Sequence, residues 1–328
     1  ISEGEAVLNR HFSDAIHAAG PFWPEGFLLE GINAKIKIKN GVITMDGATC
    51  ECGIGSVEVF MEIDGDSFDL VLRGSELPIS PQFVNVLPET ASRTLPDAWN
   101  RLHPTGLMDA TIRMSSSGNI HELNLEIIPN TIVISDNETS MTLERSSGSL
   151  IVENTDVFLN DLVFLLEEDT VQMGQLEIAG TVHGTKEAFK LDINADWLDA
   201  SIGSPLSRAI TGIVGGDAVL DYYDALNPSG TAEASLRAQG GFESVVYNID
   251  IIPSELSATF QDRRAVAVFS KDKKDKIHFD TNGIHFQNIQ GKLGEGNFTL
   301  DGIVDTVSSI DGVFQLTWEG PADDKSLF

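Results

Sequence analysis

The sequence predicts a mainly β protein. The expected form is an elongated, curled antiparallel β-sheet, a groove or trough, built from tandem repeats of about 120 residues with short helices at the start of each. Three observations predict it. A stretch of the chain occurs twice: Leu102-His103-Pro104-Thr105-Gly106-Leu107-Met108-Asp109-Ala110-Thr111-Ile112-Arg113 returns as Leu226-Asn227-Pro228-Ser229-Gly230-Thr231-Ala232-Glu233-Ala234-Ser235-Leu236-Arg237, and Pro104 and Pro228 stand 124 positions apart. The register then holds without a gap, so that Leu123-Asn124-Leu125-Glu126-Ile127-Ile128-Pro129 returns as Tyr247-Asn248-Ile249-Asp250-Ile251-Ile252-Pro253. Between these signals apolar and polar residues alternate with a period of two, which gives a strand one greasy face and one wet face.

Taken in order, residues 6–18 have the spacing of an amphipathic helix, with Val7, Leu8, Phe12 and Ile16 towards one side and Pro21 and Pro24 ending it. Pro24-Glu25-Gly26 reads as a degenerate third copy of the Pro-x-Gly signal. The period then changes to two: Ala34, Ile36 and Ile38 alternate with Lys35, Lys37 and Lys39, and Asn40-Gly41 is a hairpin turn. Val57, Val59 and Met61 continue the alternation, and Asp64-Gly65 turns into Phe68, Leu70 and Leu72. Short helices are expected at 83–87 and 96–102, and again between Pro205 and Leu226, just before each full motif. Gly53-x-Gly55, Gly174 and Gly294-x-Gly296 precede Val57-x-Val59, Leu176-x-Ile178 and Phe298-x-Leu300; the strands that follow read Phe68-x-Leu70-x-Leu72, Phe189-x-Leu191-x-Ile193 and Phe314-x-Leu316-x-Trp318. The units are therefore 1–80, a short first one, then 81–202 and 203–328. Two short helices per unit cannot roof so many strands, so a sheet curled on itself, with helices at an edge or seam, fits best.

Composition excludes some partners. With 50 Asp and Glu against 21 Lys and Arg the net charge is −29, which argues against nucleic acid and against an anionic membrane surface. No apolar run reaches the 18 or so residues that cross a bilayer. The chain starts at Ile1 rather than Met and reads as a piece of a longer protein, with any anchor or export signal outside it. Cys50 and Cys52, about 6.6 Å apart on one strand face, read as small buried side chains, since a disulfide there would be strained.

No catalytic constellation is found. The seven histidines are scattered, and His278 reads as a surface or seam histidine. Neither an H-E-x-x-H pair, a nucleophile elbow nor a phosphate loop occurs, and Gly291-Lys292-Leu293-Gly294-Glu295-Gly296 reads as a structural turn or bulge. Asp109 and Glu233 match each other, as do Arg113 and Arg237. The arginines read as seam ion pairs or solvated edges, with a head-group contact as the rarer alternative. No cofactor and no metal is expected.

Short helices, then L-x-P-[ST]-G-x-x-[DE]-A-[ST]-[IL]-R, then amphipathic strands closing on I-I-P, resemble the AsmA-like and TamB-like periplasmic proteins over most of residues 80–328. The resemblance implies a long hydrophobic β-groove, lipid transfer between the inner and outer membranes of a Gram-negative envelope, phospholipid or another acyl lipid as ligand, and membrane components reached through parts outside this chain. It carries no catalytic residues. The period of two makes Ile112, Leu123, Leu125, Ile127, Leu191, Ile193, Leu236, Tyr247, Ile249, Ile251, Phe298 and Leu300 the candidate lipid-lining positions; each also suits a plain core between two sheet layers. Pro104, Gly106, Pro129, Pro228, Gly230 and Pro253 mark the repeat. On this reading Leu125→Glu or Ile249→Glu abolishes lipid binding while the protein still folds. A structural or adhesive β-repeat protein with a closed core is the alternative. A carbohydrate-active enzyme ranks last, because Trp23, Trp99, Trp197 and Trp318 are spread out.

Overall fold

The computed structural model describes residues 30–52, 54–79, 102–117, 120–135, 140–154, 156–168, 171–184, 190–241, 244–260, 263–268, 276–293, 296–305 and 311–320. The helix expected at 6–18, the Pro24-x-Gly26 signal, the helices at 83–87 and 96–102 apart from Leu102, and the glycines Gly53 and Gly294 lie outside the described residues.

The chain forms one long antiparallel sheet. Strands β1 (Glu30–Asn33) and β2 (Ile36–Lys39) both lie along β3 (Val42–Cys52). The chain then meanders through β4 (Gly55–Asp64), β5 (Ser67–Pro78), β6 (Thr105–Ser117), β7 (Ile120–Ser135), β8 (Ser140–Glu153), β9 (Asp156–Glu168), β10 (Val171–His183) and β11 (Lys190–Ile202), each pairing with the one before. Helix α1 (Pro205–Leu226) interrupts the meander. It resumes with β12 (Ser229–Gly241) and β13 (Ser244–Phe260). Strands β14 (Arg263–Val268) and β15 (Lys276–Asp280) share the row between β13 and β16 (Gly283–Leu293), and β17 (Gly296–Asp305) and β18 (Asp311–Glu319) complete the sheet. Among the described residues β2 pairs only with β3 and β18 only with β17, so the sheet is not closed.

The turns follow from local chemistry. Asn40 (φ 54°) and Gly41 (φ 86°) make the two-residue turn between β2 and β3. Between β15 and β16, Asp280 Oδ1 accepts from the amides of Asn282 (2.7 Å) and Gly283 (3.2 Å), an aspartate closing its own turn.

The two copies of the Pro-x-Gly stretch have the same backbone. His103 and Asn227 adopt left-handed φ of 42° and 43°, and Gly106 and Gly230 have φ of 139° and 140°. In each copy the register then slips by one residue, between Leu107 and Met108 and between Thr231 and Ala232, which leaves Asn130 or Ser254 without a register partner beside Pro129 or Pro253. A bulge leaves one residue unpaired, and proline, lacking an amide donor, is tolerated next to it. Glycine is required at 106 because a Cβ there would strike the carbonyl oxygen of Thr131.

Helix α1 is a helical hairpin. Gly216 (φ 71°, ψ −176°) breaks it, and beyond the break the chain returns. Ser207 Oγ lies 2.8 Å from Tyr223 Oη, and Arg208 makes two hydrogen bonds to the carboxylate of Asp224 at 2.7 and 2.6 Å. Residues 16 apart on a straight helix would be about 24 Å apart. Ser204 caps the start by accepting from the Ser207 amide, with Pro205 in the first turn, and left-handed Asn227 caps the end. This is the pair of short helices expected between Pro205 and Leu226.

Among the described residues two large clusters and a small one, Met114 with Leu123, hold most of the buried apolar side chains. One runs from β3 to β9 and includes Met45, Val59, Leu72, Ala110, Leu125 and Val152. The other joins Ile134, Met141, Phe164, Leu166, Leu176 and Trp197 with Leu206 of α1, and Ile210 packs against it. The hairpin thus lays two apolar side chains over one face of the sheet, at the end of the strands where β11 leaves and β12 begins.

Gly106→Ala is expected to lower stability by about 2 kcal/mol or more, because it adds a carbonyl clash to backbone strain. Gly65→Ala, at φ 57° with open space around it, should cost about 1 kcal/mol. Urea denaturation of the two variants gives the comparison; equal losses would remove the clash from the explanation.

Candidate functional site

Directly opposed residues on antiparallel neighbours share a face, so the register fixes which side chains line up across the sheet. One ladder runs from Ala48 through Val59, Leu72, Ile112, Leu125, Val152, Val157, Val182 and Leu191 to Gly240 and Val245. A second runs through Leu162, Ile178, Ala195, Leu236, Ile249, Phe279 and Ile284. A third takes Phe164, Leu176, Trp197, Ala234, Ile251, Ile277 and Phe286. Leu300 and Phe298 continue the same face opposite Ile289 and Gly291, and Leu316 and Trp318 follow on β18. All twelve candidate positions therefore lie on one apolar face, from Ile112 on β6 and Leu123, Leu125 and Ile127 on β7, through Leu191 and Ile193 on β11, Leu236 on β12 and Tyr247, Ile249 and Ile251 on β13, to Phe298 and Leu300 on β17.

They are not equally open. Leu123, Leu125, Ile127 and Ile249 are buried, and Leu125, like its neighbour Val152, is 0 % exposed. Ile112, Leu191, Ile193, Leu236, Tyr247, Ile251, Phe298 and Leu300 are half-buried. At the far edge Leu316 is 55 % exposed on the same face. Burial is densest from β3 to β9, although Ile112 is half-buried, and half-buried positions predominate from β11 onward, where Trp197, Ala232, Ile249 and Ile289 stay buried. Leu125→Glu is thus not the clean test the alternation suggests: it would bury an uncompensated carboxylate and unfold the protein before lipid binding could be read. Ile249, almost as enclosed, has the same defect.

The opposite face is polar. Arg113 and Arg237 are exposed there, opposite Asn124 and Asn248, which excludes them from the apolar face. Asp109 is structural: its carboxylate accepts from the amide of Glu76 at 2.9 Å, at a bulge where Glu76 has φ 56°. His278 Nδ1 and Lys276 Nζ lie 2.7 and 3.0 Å from Asp250 Oδ1, and His285 Nε2 lies 3.5 Å from Asp280 Oδ1. Burial raises the Asp250 carboxyl, but the hydrogen bonds from Lys276 and His278 outweigh it and hold the group below its ordinary value. Burial likewise raises Asp280, and the amides of Asn282 and Gly283 bring it down. On the apolar side burial pushes the Tyr247 phenol up, with Asp280 adding to it, and burial pushes up the Cys50 thiol. Cys50 is buried and free, as its strand position implies. Among the described residues no group of His, Cys, Asp and Glu could hold a metal ion, and no helix is long and apolar enough to cross a membrane.

No family model, no curated protein and no solved structure matches the chain.

Three features escape the residue-by-residue reading. Arg145 pairs with Phe164 and so lies on the apolar face; the alternation Met141-x-Leu143-x-Arg145 carries that signal. Trp318 aligns by spacing with Ile193, but the register pairs it with Phe298 as Trp197 pairs with Leu176, so the two tryptophans correspond. The return of α1 on itself depends on Gly216 and cannot be read from the apolar pattern.

A lowered carboxyl contributes stability that is complete above its ordinary value of 3.8 and is lost as pH falls through the lowered one. Asp250→Asn removes that contribution. Its deficit relative to the parent protein should be present at pH 7 and shrink below pH about 4, measured by urea midpoints at both pH values; a deficit independent of pH would show that Asp250 acts through packing alone.

Proposed function

We propose that the chain is a segment of an envelope lipid-transfer protein that carries acyl chains on its apolar sheet face. One observation carries the reading: a single apolar face is kept across the register slips from β3 to β18, mostly buried in its first half and mostly half-buried in its second. Burying acyl groups against such a face is worth about 0.8 kcal/mol per CH₂, so an acyl chain needs no polar contact to bind. The sheet is read as curling into a trough, because Leu125 and Val152 are fully enclosed although the described elements are one sheet and one helical hairpin. Tandem construction is read from the matched backbones, with β6 to β11 as one unit and β12 to β18 as the next. The ligand proposed is phospholipid or another acyl lipid, the setting is the periplasm of a Gram-negative bacterium, as in the AsmA-like and TamB-like proteins, and the role is conduction rather than catalysis.

The closed first half favours a second reading, a structural β-repeat with a dry core. Lipid content separates the two. Native mass spectrometry of the chain purified from bacterial membranes should show retained phospholipid. Ile251→Glu and Leu300→Glu, at half-open positions, should lose it with circular dichroism unchanged. Leu125→Ala should cost about 2–5 kcal/mol of stability and leave lipid content intact. A stable, lipid-free parent protein would decide for the structural reading.

A further inference from the structure

Arg145 is out of place for a strand core. It is half-buried on the apolar face, directly opposite Phe164, which is 3 % exposed. Its Nε is buried and has no hydrogen-bond partner. Among the described residues no ion pair holds its guanidinium, in a chain with 50 carboxylate side chains. An arginine cannot give up its charge, and a buried donor without an acceptor is costly, so it points to a missing partner.

Two further observations agree. Trp197, three strands along the same ladder and 5 % exposed, also has a buried indole N–H without a partner. The architecture does not require the arginine. Ala265 and Ala267 on β14 pair with β13 as Met141 and Leu143 on β8 pair with β7, at an offset of 124 positions, and at the same offset from Arg145 the sequence has Phe269. The ladder between β7 and β8 is also open at this point, with no register partners between Ile127 and Thr131 or between Glu144 and Leu150.

We propose that Arg145 is the head-group anchor of the trough: it binds the anionic oxygens, carboxylate or phosphate, of an acyl amphiphile whose chain runs along the same apolar face towards the half-buried positions Ala234 and Ile251. A guanidinium presents a planar fork of donors that fits either oxyanion. The inference rests on the lipid-carrying reading above and adds a ligand class to it. It runs against the net charge of −29, which repels anions from the molecule as a whole, so a preference for anionic amphiphiles would need a local cause.

The test uses the full chain and three amphiphiles with the same oleoyl tail: oleate, lysophosphatidylglycerol and neutral monoolein. Affinities are read by titration calorimetry below the critical micelle concentrations. The parent protein should prefer the two anions, and the preference should weaken as salt is raised. Arg145→Gln should reduce anion affinity by about tenfold or more and leave monoolein unchanged, with a melting temperature equal to or above the parent's, because an unpaired charge has been removed. Arg145→Lys should restore part of the loss. Dependence of only one anion on Arg145 would identify the head group as carboxylate or as phosphate. Equal losses for all three ligands, or a lowered melting temperature with no change in selectivity, would make Arg145 structural and overturn the anchor. Should Arg145→Gln not fold, the selectivity of the parent protein decides: no preference for anions over monoolein overturns the proposal. Binding of monoolein alone would leave lipid carriage standing without the anchor, whereas failure to bind any of the three would sink both.

Discussion

The arrangement depends on hiding one face of one sheet. Side chains on a strand alternate sides, so a sequence that alternates apolar and polar residues builds a surface that water rejects and a surface that water accepts. In this chain the apolar surface is propagated from strand to strand by direct cross-strand pairing over nearly the whole sheet. A slip of one residue anywhere would send an entire strand's apolar set to the wrong side. Most of the special backbone features, the left-handed residues, the bulges and the glycines with no room for a Cβ, serve to take up irregularities without losing that parity.

The slips at Leu107/Met108 and Thr231/Ala232 show how this works. Each places an extra residue beside a proline that has no amide to donate, so the ladder yields where it is already weakest, and parity is recovered on the far side. A bulge also bends its strand and increases local twist. Helix α1 addresses the same problem at one end of the strands. By folding back at Gly216 it brings Ser207 to Tyr223 and Arg208 to Asp224, and its Leu206 and Ile210 cover apolar surface that the sheet leaves open.

The two faces divide the chemistry. On the polar side Asp250 is matched by Lys276 and His278. On the apolar side the exceptions among the described residues are two indole N–H groups and one guanidinium nitrogen, buried without acceptors. Proteins keep unsatisfied donors where function needs them, at the expense of stability. That trade is what makes Arg145 informative, whereas the matched arginines 113 and 237, solvated on the other face, carry no such tension.

The sequence by itself determined the strands, their alternation and the identity of the apolar face. Periodicity is a local property, and the offset of 124 residues placed Ile112 and Leu236, or Leu125 and Ile249, in equivalent positions before any pairing was known. It also located the helical segment before β12 and marked Gly106 and Gly230 as matched positions of the repeat. Only the tertiary structure decided how far each residue on that face is covered. Leu125 and Leu300 read alike in sequence, yet one is sealed and the other half-open, because coverage depends on which strands and which helix come to lie over a residue, and that is fixed by contacts distant in the chain. The same holds for Arg145. Its alternation places it on the apolar face, but only the packing around it shows that no acceptor reaches its buried nitrogen.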